Sequence, residues 1–283
     1  MSKSPSPPPG ASPPAPPRAV GAPMRVPTTT KAGIRTVFVA VNGYGKTTAA
    51  AFAEDAAGLI APDEHGYMTL LSRGLVPALP VMEPRSWPET LATLDAFAAN
   101  PQGRKTLFAD ALTGFAQMLA VHVCTTQFGG DWSKKGFFNF YTGPAQVARE
   151  WPAFLSRLSR VADAGVNVLV LGHAQVKKFQ NPDGPDYDRY ECQADEGVWA
   201  STRNWAEACL FGNFRALVEQ RSPEANIAKA SGKAIGQERI LRAQYSAAAD
   251  AKNQYGLEPE YAMPNTPREF AAAFWNLILP RAK

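Results

Sequence analysis

Of the 283 residues only three are cysteine and only three are histidine. Cys124, Cys192 and Cys209 are too widely spaced for a CxxC pair, and with so few histidines they make no zinc set. They read as reduced, buried thiols of a protein in a reducing, cytoplasmic setting. Long hydrophobic runs are also missing. The longest candidate, ALTGFAQMLAVHVC, is interrupted by Thr113, Gln117 and His122, which favours a buried helix over a membrane span. No acid precedes Glu54, and the N-terminus has no apolar stretch of the kind a secretion signal requires.

What the N-terminus does have is proline, ten in the first thirty residues, mixed with serine, alanine and glycine. Such a segment cannot bury enough apolar surface to offset its ordering entropy. Residues 1–33 are therefore expected to be a disordered tail, and 34–283 the folded domain. The formal charge of +4 follows the same division. Lys3, Arg18, Arg25 and Lys31 lie in the tail, and without them 25 bases face 25 acids. The neutral body gives no general case for nucleic-acid binding, so only local clusters could make one. With 45% hydrophobic and 19% charged residues, the body has the composition of an ordinary globular domain.

Strand and helix patterns alternate after the tail. TVFVAV (36–41) predicts a strand. TTAAAFAEDAA (47–57) predicts a helix with Gly58 as its stop, and LIAP (59–62) a second strand. SWPETLATLDAFAAN (86–100) opens with a Ser86–Glu89 capping box. KTLFAD (105–110) is a third strand, followed by a helix from Leu112 to Thr125. Residues 127–143 read as a glycine- and aromatic-rich loop, and Pro144 begins one long helix to about Asp163. NVLVLG (167–172) is an apolar strand, 174–193 a polar loop, and 207–219 and 238–245 further strands. TPREFAAAFWNLI (266–278) closes the chain as a helix with a Thr266–Glu269 box. Apolar strands alternating with helices predict an α/β fold whose mostly parallel sheet is covered on both faces.

Residues 40–47, AVNGYGKT, follow the phosphate-loop pattern G-x-x-x-x-G-K-[ST] except that Ala40 replaces the first glycine. The bends that expose backbone N–H groups to phosphate need glycine, and Gly43 and Gly45 supply it. Asn42, Gly43, Tyr44, Gly45, Lys46, Thr47 and Thr48 are the candidate nucleotide-binding residues. Lys46 reaches the β- and γ-phosphates, and the Thr47 hydroxyl is a candidate Mg²⁺ ligand. The helix that follows turns its positive end toward the anion. Asp110, at the end of an apolar strand, is the candidate acid behind the metal; its alternative role is capping the next helix. Glu64, with Asp63 as competitor, is the candidate water-activating group or else a solvated turn acid. His173 and Gln175 stand where a γ-phosphate sensor is useful, although His173 also reads as a satisfied core histidine.

Two clusters interleave cations with aromatic rings. Lys134 and Lys135 neighbour Trp132, Phe137, Phe138, Phe140 and Tyr141. Lys177, Lys178 and Arg189 neighbour Phe179, Tyr187 and Tyr190, diluted by Asp183, Asp186 and Asp188. Such clusters suit single-stranded DNA, with cations along the backbone and rings stacked on bases. The alternative is that the rings pack the segments onto the body or onto a second subunit.

In order, VNGYGKTTAA, TLFADALT, NVLVLGHAQVKKF, DYDRY and DAKNQYGL resemble the phage-encoded RecA-like ATPases of the AAA group, over about Gly33 to Leu257. The resemblance implies a RecA-like P-loop NTPase with a three-layer α/β/α fold, a mostly parallel sheet and antiparallel C-terminal strands. It implies ATP and Mg²⁺ as ligands, ATP hydrolysis, assembly into a ring or filament with ATP between subunits, and single-stranded DNA as partner in recombination or annealing, in the host cytoplasm. By the same resemblance Glu64 activates water, the segments 127–143 and 174–193 face DNA, and Lys252 reaches a neighbouring subunit's γ-phosphate. Ala40, and Ala111 after the acid, depart from the family's pattern. The alternative is an annealing scaffold that binds nucleotide without hydrolysing it. A small-molecule kinase is disfavoured, since no arginine-rich lid segment is present.

Overall fold

Arg35–Ala40 (β1) alternates its side chains between two buried faces. Val37 and Val39 enter one core, Phe38 and Ala40 the other. A strand buried on both sides belongs in the middle of a parallel sheet, and β1 lies there. It pairs in parallel with Asn167–Phe179 (β5) on one side and Ala208–Gln220 (β7) on the other. Beyond β5 come Thr106–Asp110 (β4), Ala56–Ile60 (β2) and the short Val81–Met82 (β3), all parallel. Beyond β7 the sheet turns antiparallel, with Gly232–Arg242 (β8) and Glu260–Met263 (β10). Tyr187–Cys192 (β6) pairs with the far half of β5, and Lys252–Asn253 (β9) with the start of β7. The computed structural model describes residues 32–220 and 232–279. The tail expected over 1–33 lies outside the described residues up to Lys31, but Gly33 is already part of the body: it is buried and its N–H donates to the Ala162 carbonyl at 2.8 Å.

Helices cover both faces. One carries Lys46–Ala51 (α1) and Pro267–Ile278 (α8) on a core of Phe38, Phe108, Leu169 and Leu171. Gly66–Ser72 (α2) adds the buried Tyr67 to that side. The other face carries Trp87–Ala99 (α3), Leu112–Gln127 (α4), Thr142–Glu150 (α5), Pro152–Asp163 (α6) and Glu196–Trp205 (α7). Aromatic rings bind the layers together. Phe274 lies 4.8 Å from Phe38 between ring centres, and Trp151 lies 4.9 Å from Phe154. Burying each such ring contributes roughly 1.5–3 kcal/mol. The result is the expected three-layer α/β architecture with a mostly parallel sheet and antiparallel C-terminal strands.

Several local expectations are corrected. Gly58 is no helix stop but the centre of β2, where a Cβ would meet the Phe108 ring at 2.7 Å. The helix before it ends at Ala51. The helix from Pro144 to Asp163 is two helices, because Pro152 has no N–H to continue the first. The polar segment 174–193 is mainly a β-hairpin, β5 running on to Phe179 and pairing with β6. Of the two capping boxes, Ser86 Oγ accepts from the Glu89 N–H at 3.4 Å. The Thr266 hydroxyl instead donates to the Glu269 carboxylate and caps no backbone N–H. The helices α2 and α7 had no strong sequence signal.

The register sets the site. Ala40 at the end of β1 is level with His173 on β5, and Ile60 at the end of β2 is level with Asp110 on β4. The C-terminal ends of β1, β2 and β4 thus meet the middle of β5 at one edge, where open α/β sheets bind ligands.

Candidate functional site

The loop from Val41 to Gly45 leaves β1 and turns directly into α1. Gly43 (φ 74°) and Gly45 (φ 106°) take left-handed conformations that suit glycine. Ala40 is fully buried in the core, so its methyl group faces packing atoms and leaves the loop open. Tyr44 is the surprise within the loop. Its ring is buried against Phe38, Phe214 and Phe270, and its hydroxyl donates to the Ile240 carbonyl at 2.8 Å. The side chain of Tyr44 therefore anchors the loop, leaving only its backbone at the ligand side.

The loop, the start of α1 and the start of α2 border a depression of about 480 Å³, which Asp110, Glu64 and His173 also line. Asn42 and Thr48 complete its rim. Lys46 is buried and donates to the carbonyls of Ala40 at 2.9 Å and Val41 at 3.4 Å. Burial lowers its pKa, opposed by the charges of Asp110 and Glu64. An amine that loses hydration and points along the loop gains from an arriving phosphate, which supplies the anionic partner that the carbonyls only approximate.

Asp110 is buried and accepts from the Thr47 hydroxyl at 2.9 Å. Burial pushes its carboxyl up to about 6, with Glu64 adding to the rise and the Thr47 hydrogen bond, His173 and Lys46 opposing it. It does not cap α4, since the residue at the cap position is Ala111 and no side chain caps that helix. A desolvated carboxylate beside a hydroxyl offers the hard oxygen donors that suit Mg²⁺. Among the described residues no cluster of three or more His, Cys, Asp or Glu could hold a metal alone.

Glu64 and His173 come from different strand ends and meet, His173 Nε2 lying 3.3 Å from Glu64 Oε1. Both are partly shielded. Asp63, the competing acid, is exposed in a left-handed turn (φ 66°) and does not line this depression. On its far side the Glu64–His173 pair also borders a second hollow of about 570 Å³, bounded by Arg85, Thr113, Met118 and Gln193. The His173 carbonyl accepts from the Gln193 N–H at 2.7 Å, and Gln175 donates to the Cys192 carbonyl at 3.3 Å. The first contact ties the pair to the β5–β6 hairpin, and the second joins the hairpin's two strands. Gln175 thus braces the hairpin and does not reach into the depression.

The remaining candidates lie elsewhere. Lys252 on β9 borders a separate depression with Tyr245 and Gln254. Its neighbours in DAKNQYGL are structural: Asp250 accepts from Trp199 Nε1 at 3.0 Å and from Arg203, and Asn253 bonds backbone at Ala243, Tyr255 and Leu257. In the 127–143 segment Lys134 and Lys135 are exposed, Phe140 is 95% exposed, and Phe137 is buried beneath Trp132 and Phe138. In the hairpin Lys177 and Lys178 are exposed but paired with Glu191 and Asp186. Arg189 is buried, bonded to Glu191 and stacked 4.2 Å from the Phe179 ring centre. The hairpin's aromatic and guanidinium groups pack on one another, so two of its named residues, Phe179 and Arg189, are largely taken up inside the protein. Sequence reading missed Arg239, which touches the loop from β8 with no local pattern to announce it.

Comparison with known proteins bears on this geometry. A family described as AAA domain matches residues 32–255. No curated protein matches the chain. Among solved structures, the RadB recombinase superposes with a TM-score of 0.43 at 12% identity, over 84% of this chain and 90% of that one. The family match takes in the phosphate loop and all of Glu64, Asp110 and His173, and the chain belongs to the AAA domain family.

Proposed function

We propose that this protein is a RecA-like ATPase that binds ATP and Mg²⁺ at the loop 42–48 and works on single-stranded DNA. The observation that carries this reading is the meeting of Lys46, the Thr47–Asp110 pair and the Glu64–His173 pair around one depression. In this reading the backbone of Gly43 to Thr47 cradles the phosphates, and Lys46 moves from the Ala40 carbonyl to the β- and γ-phosphates. Thr47 and Asp110 would hold Mg²⁺, which would supply positive charge to the phosphate oxygens when bound. Glu64 orients and deprotonates the attacking water. His173 holds the Glu64 carboxylate by its Nε2–H and releases it when the hairpin moves.

The exposed Lys134, Lys135 and Phe140 support a single-strand contact, with Lys177 and Lys178 as a second one. Assembly head-to-tail with Lys252 acting in trans belongs to the same proposal. Lys252 lies away from the chain's own loop, so it serves this role only from another subunit.

The scaffold alternative has one observation in its favour: a carboxylate engaged by His173 is not free to activate water. Phosphate release with and without single-stranded DNA separates the two readings. Release that rises with DNA supports the ATPase, whereas ATP binding with no release under either condition supports the scaffold. Lys46→Ala tests the site itself; unchanged ATP affinity in that variant would remove the loop from the account.

A further inference from the structure

We propose that Arg239, on β8, is a positioning residue for the phosphate loop, fixing the Tyr44–Gly45 peptide so that the Gly45 N–H faces the ligand. The inference rests on the nucleotide-binding reading above. Arg239 Nη1 donates to the Tyr44 carbonyl. Across a trans peptide the C=O and the next N–H point in opposite directions. Holding the carbonyl toward β8 therefore turns the Gly45 N–H away from β8, toward the depression. Among the described residues no hydrogen bond uses that N–H.

The guanidinium is itself tightly held. It lies 5.1 Å from the Tyr44 ring centre, 5.4 Å from Phe214 and 4.7 Å from Phe270. Nη2 donates to the Asn265 carbonyl at 3.4 Å, while Nε is buried without a partner. A flat, permanently charged group can lie among three rings and still present a fork of donors; an ammonium cannot do both. The approach needs Gly45, where a Cβ would sit 3.0 Å from Nη1. The next residue on β8, Ile240, takes the Tyr44 hydroxyl. Gly212 on β7 makes room for the Tyr44 ring, since a Cβ there would lie 2.5 Å from it. Two strands of the antiparallel ribbon thus hold one loop residue by its main chain and its side chain. The same guanidinium places a positive charge directly behind the phosphate cradle.

The test is ATP–Mg²⁺ affinity of the full chain by calorimetry, with thermal stability measured alongside. Arg239→Ala is expected to weaken ATP binding by about ten- to a hundredfold, the range for losing a charged hydrogen bond. Millimolar guanidinium ion is expected to restore part of that loss. Arg239→Lys, which keeps charge and bulk, is expected to remain weakened, and it keeps the test readable if the alanine variant does not fold. The inference is overturned if the Arg239 variants bind ATP like the wild type, or if their lost affinity follows lost thermal stability and guanidinium restores none of it. Wild-type protein that binds no ATP, or that binds as well after Lys46→Ala, overturns the nucleotide reading itself, and this inference with it.

Discussion

His173 at the end of the β5 core segment holds Glu64 from the loop after β2, with 3.3 Å between Nε2 and Oε1. The contact joins a candidate water-activating acid to the strand that continues directly into the β5–β6 hairpin. Removing the acid and removing its partner should therefore differ. Glu64→Gln is expected to keep ATP affinity and lower phosphate release by about a hundredfold or more, the range for losing a general base. His173→Ala is expected to leave release measurable and to bring the rates with and without single-stranded DNA close together. Steady-state phosphate release read beside ATP affinity checks both, and a His173 variant with normal DNA stimulation counts against the link.

Phe140 is the most exposed large apolar side chain of the 127–143 segment. An isolated exposed ring adds little to folding, but base stacking is worth about 1–3 kcal/mol. Phe140→Ala should weaken single-stranded DNA binding by roughly tenfold and leave the melting temperature unchanged. Fluorescence anisotropy with a labelled oligonucleotide gives the affinity. Unchanged affinity in both Phe140→Ala and a Lys134→Ala/Lys135→Ala double variant assigns this segment to another surface.

Gly58 faces Phe108 across neighbouring strands, and a methyl group there would sit 2.7 Å from the ring. Since Phe108 is fully buried, the ring has little room to yield. Gly58→Ala should cost roughly 1–3 kcal/mol, as overpacked core positions do. Thermal unfolding of the variant measures it; unchanged or raised stability would contradict the close approach of Gly58 to Phe108.

Alkaline pH should destabilise the fold. Burial raises the phenol pKa of Tyr44 and of Tyr255 above the ordinary 10.0, and burial pushes the Cys209 thiol up to about 12. These groups keep their protons in the fold and lose them in the unfolded chain. Their contribution is complete below the unfolded pKa values, about 8.5 for thiols and 10 for phenols. It is lost as pH rises through them toward the folded values, at ~1.4 kcal/mol per pH unit for each retained proton. The melting temperature should therefore fall between about pH 9 and pH 11, with part of the tyrosinate absorbance appearing only on unfolding. A flat melting temperature over that range, with all tyrosines ionising in the folded protein, contradicts the burial described for Tyr44 and Tyr255.

What the sequence disclosed was local. The loop from Asn42 to Thr48 is one contiguous pattern, and Asp110 closes a five-residue apolar strand, so both could be read without knowing the fold. Glu64 and His173 could each be marked by their place after a strand, but their contact spans 109 positions and depends on strand order. Arg239 lies 195 positions from Tyr44 and reaches it only through the antiparallel ribbon. The hairpin reads as a loop in sequence because Lys177, Lys178, Asp188 and Glu191 leave it no regular apolar alternation. Phe179 and Arg189 then looked like free nucleic-acid contacts, whereas cross-strand packing occupies them. The break at Trp151–Pro152 was missed because both halves share one amphipathic pattern.

Phosphate release from ATP and Mg²⁺ by the full chain, measured with single-stranded DNA, with duplex DNA and without DNA, decides whether this chain is a DNA-dependent ATPase. Release is expected to be stimulated by single strands, lost in Lys46→Ala together with ATP binding, and lowered by about a hundredfold or more in Glu64→Gln with binding retained. ATP binding without release in all three conditions, or release that Glu64→Gln leaves unchanged, contradicts that assignment.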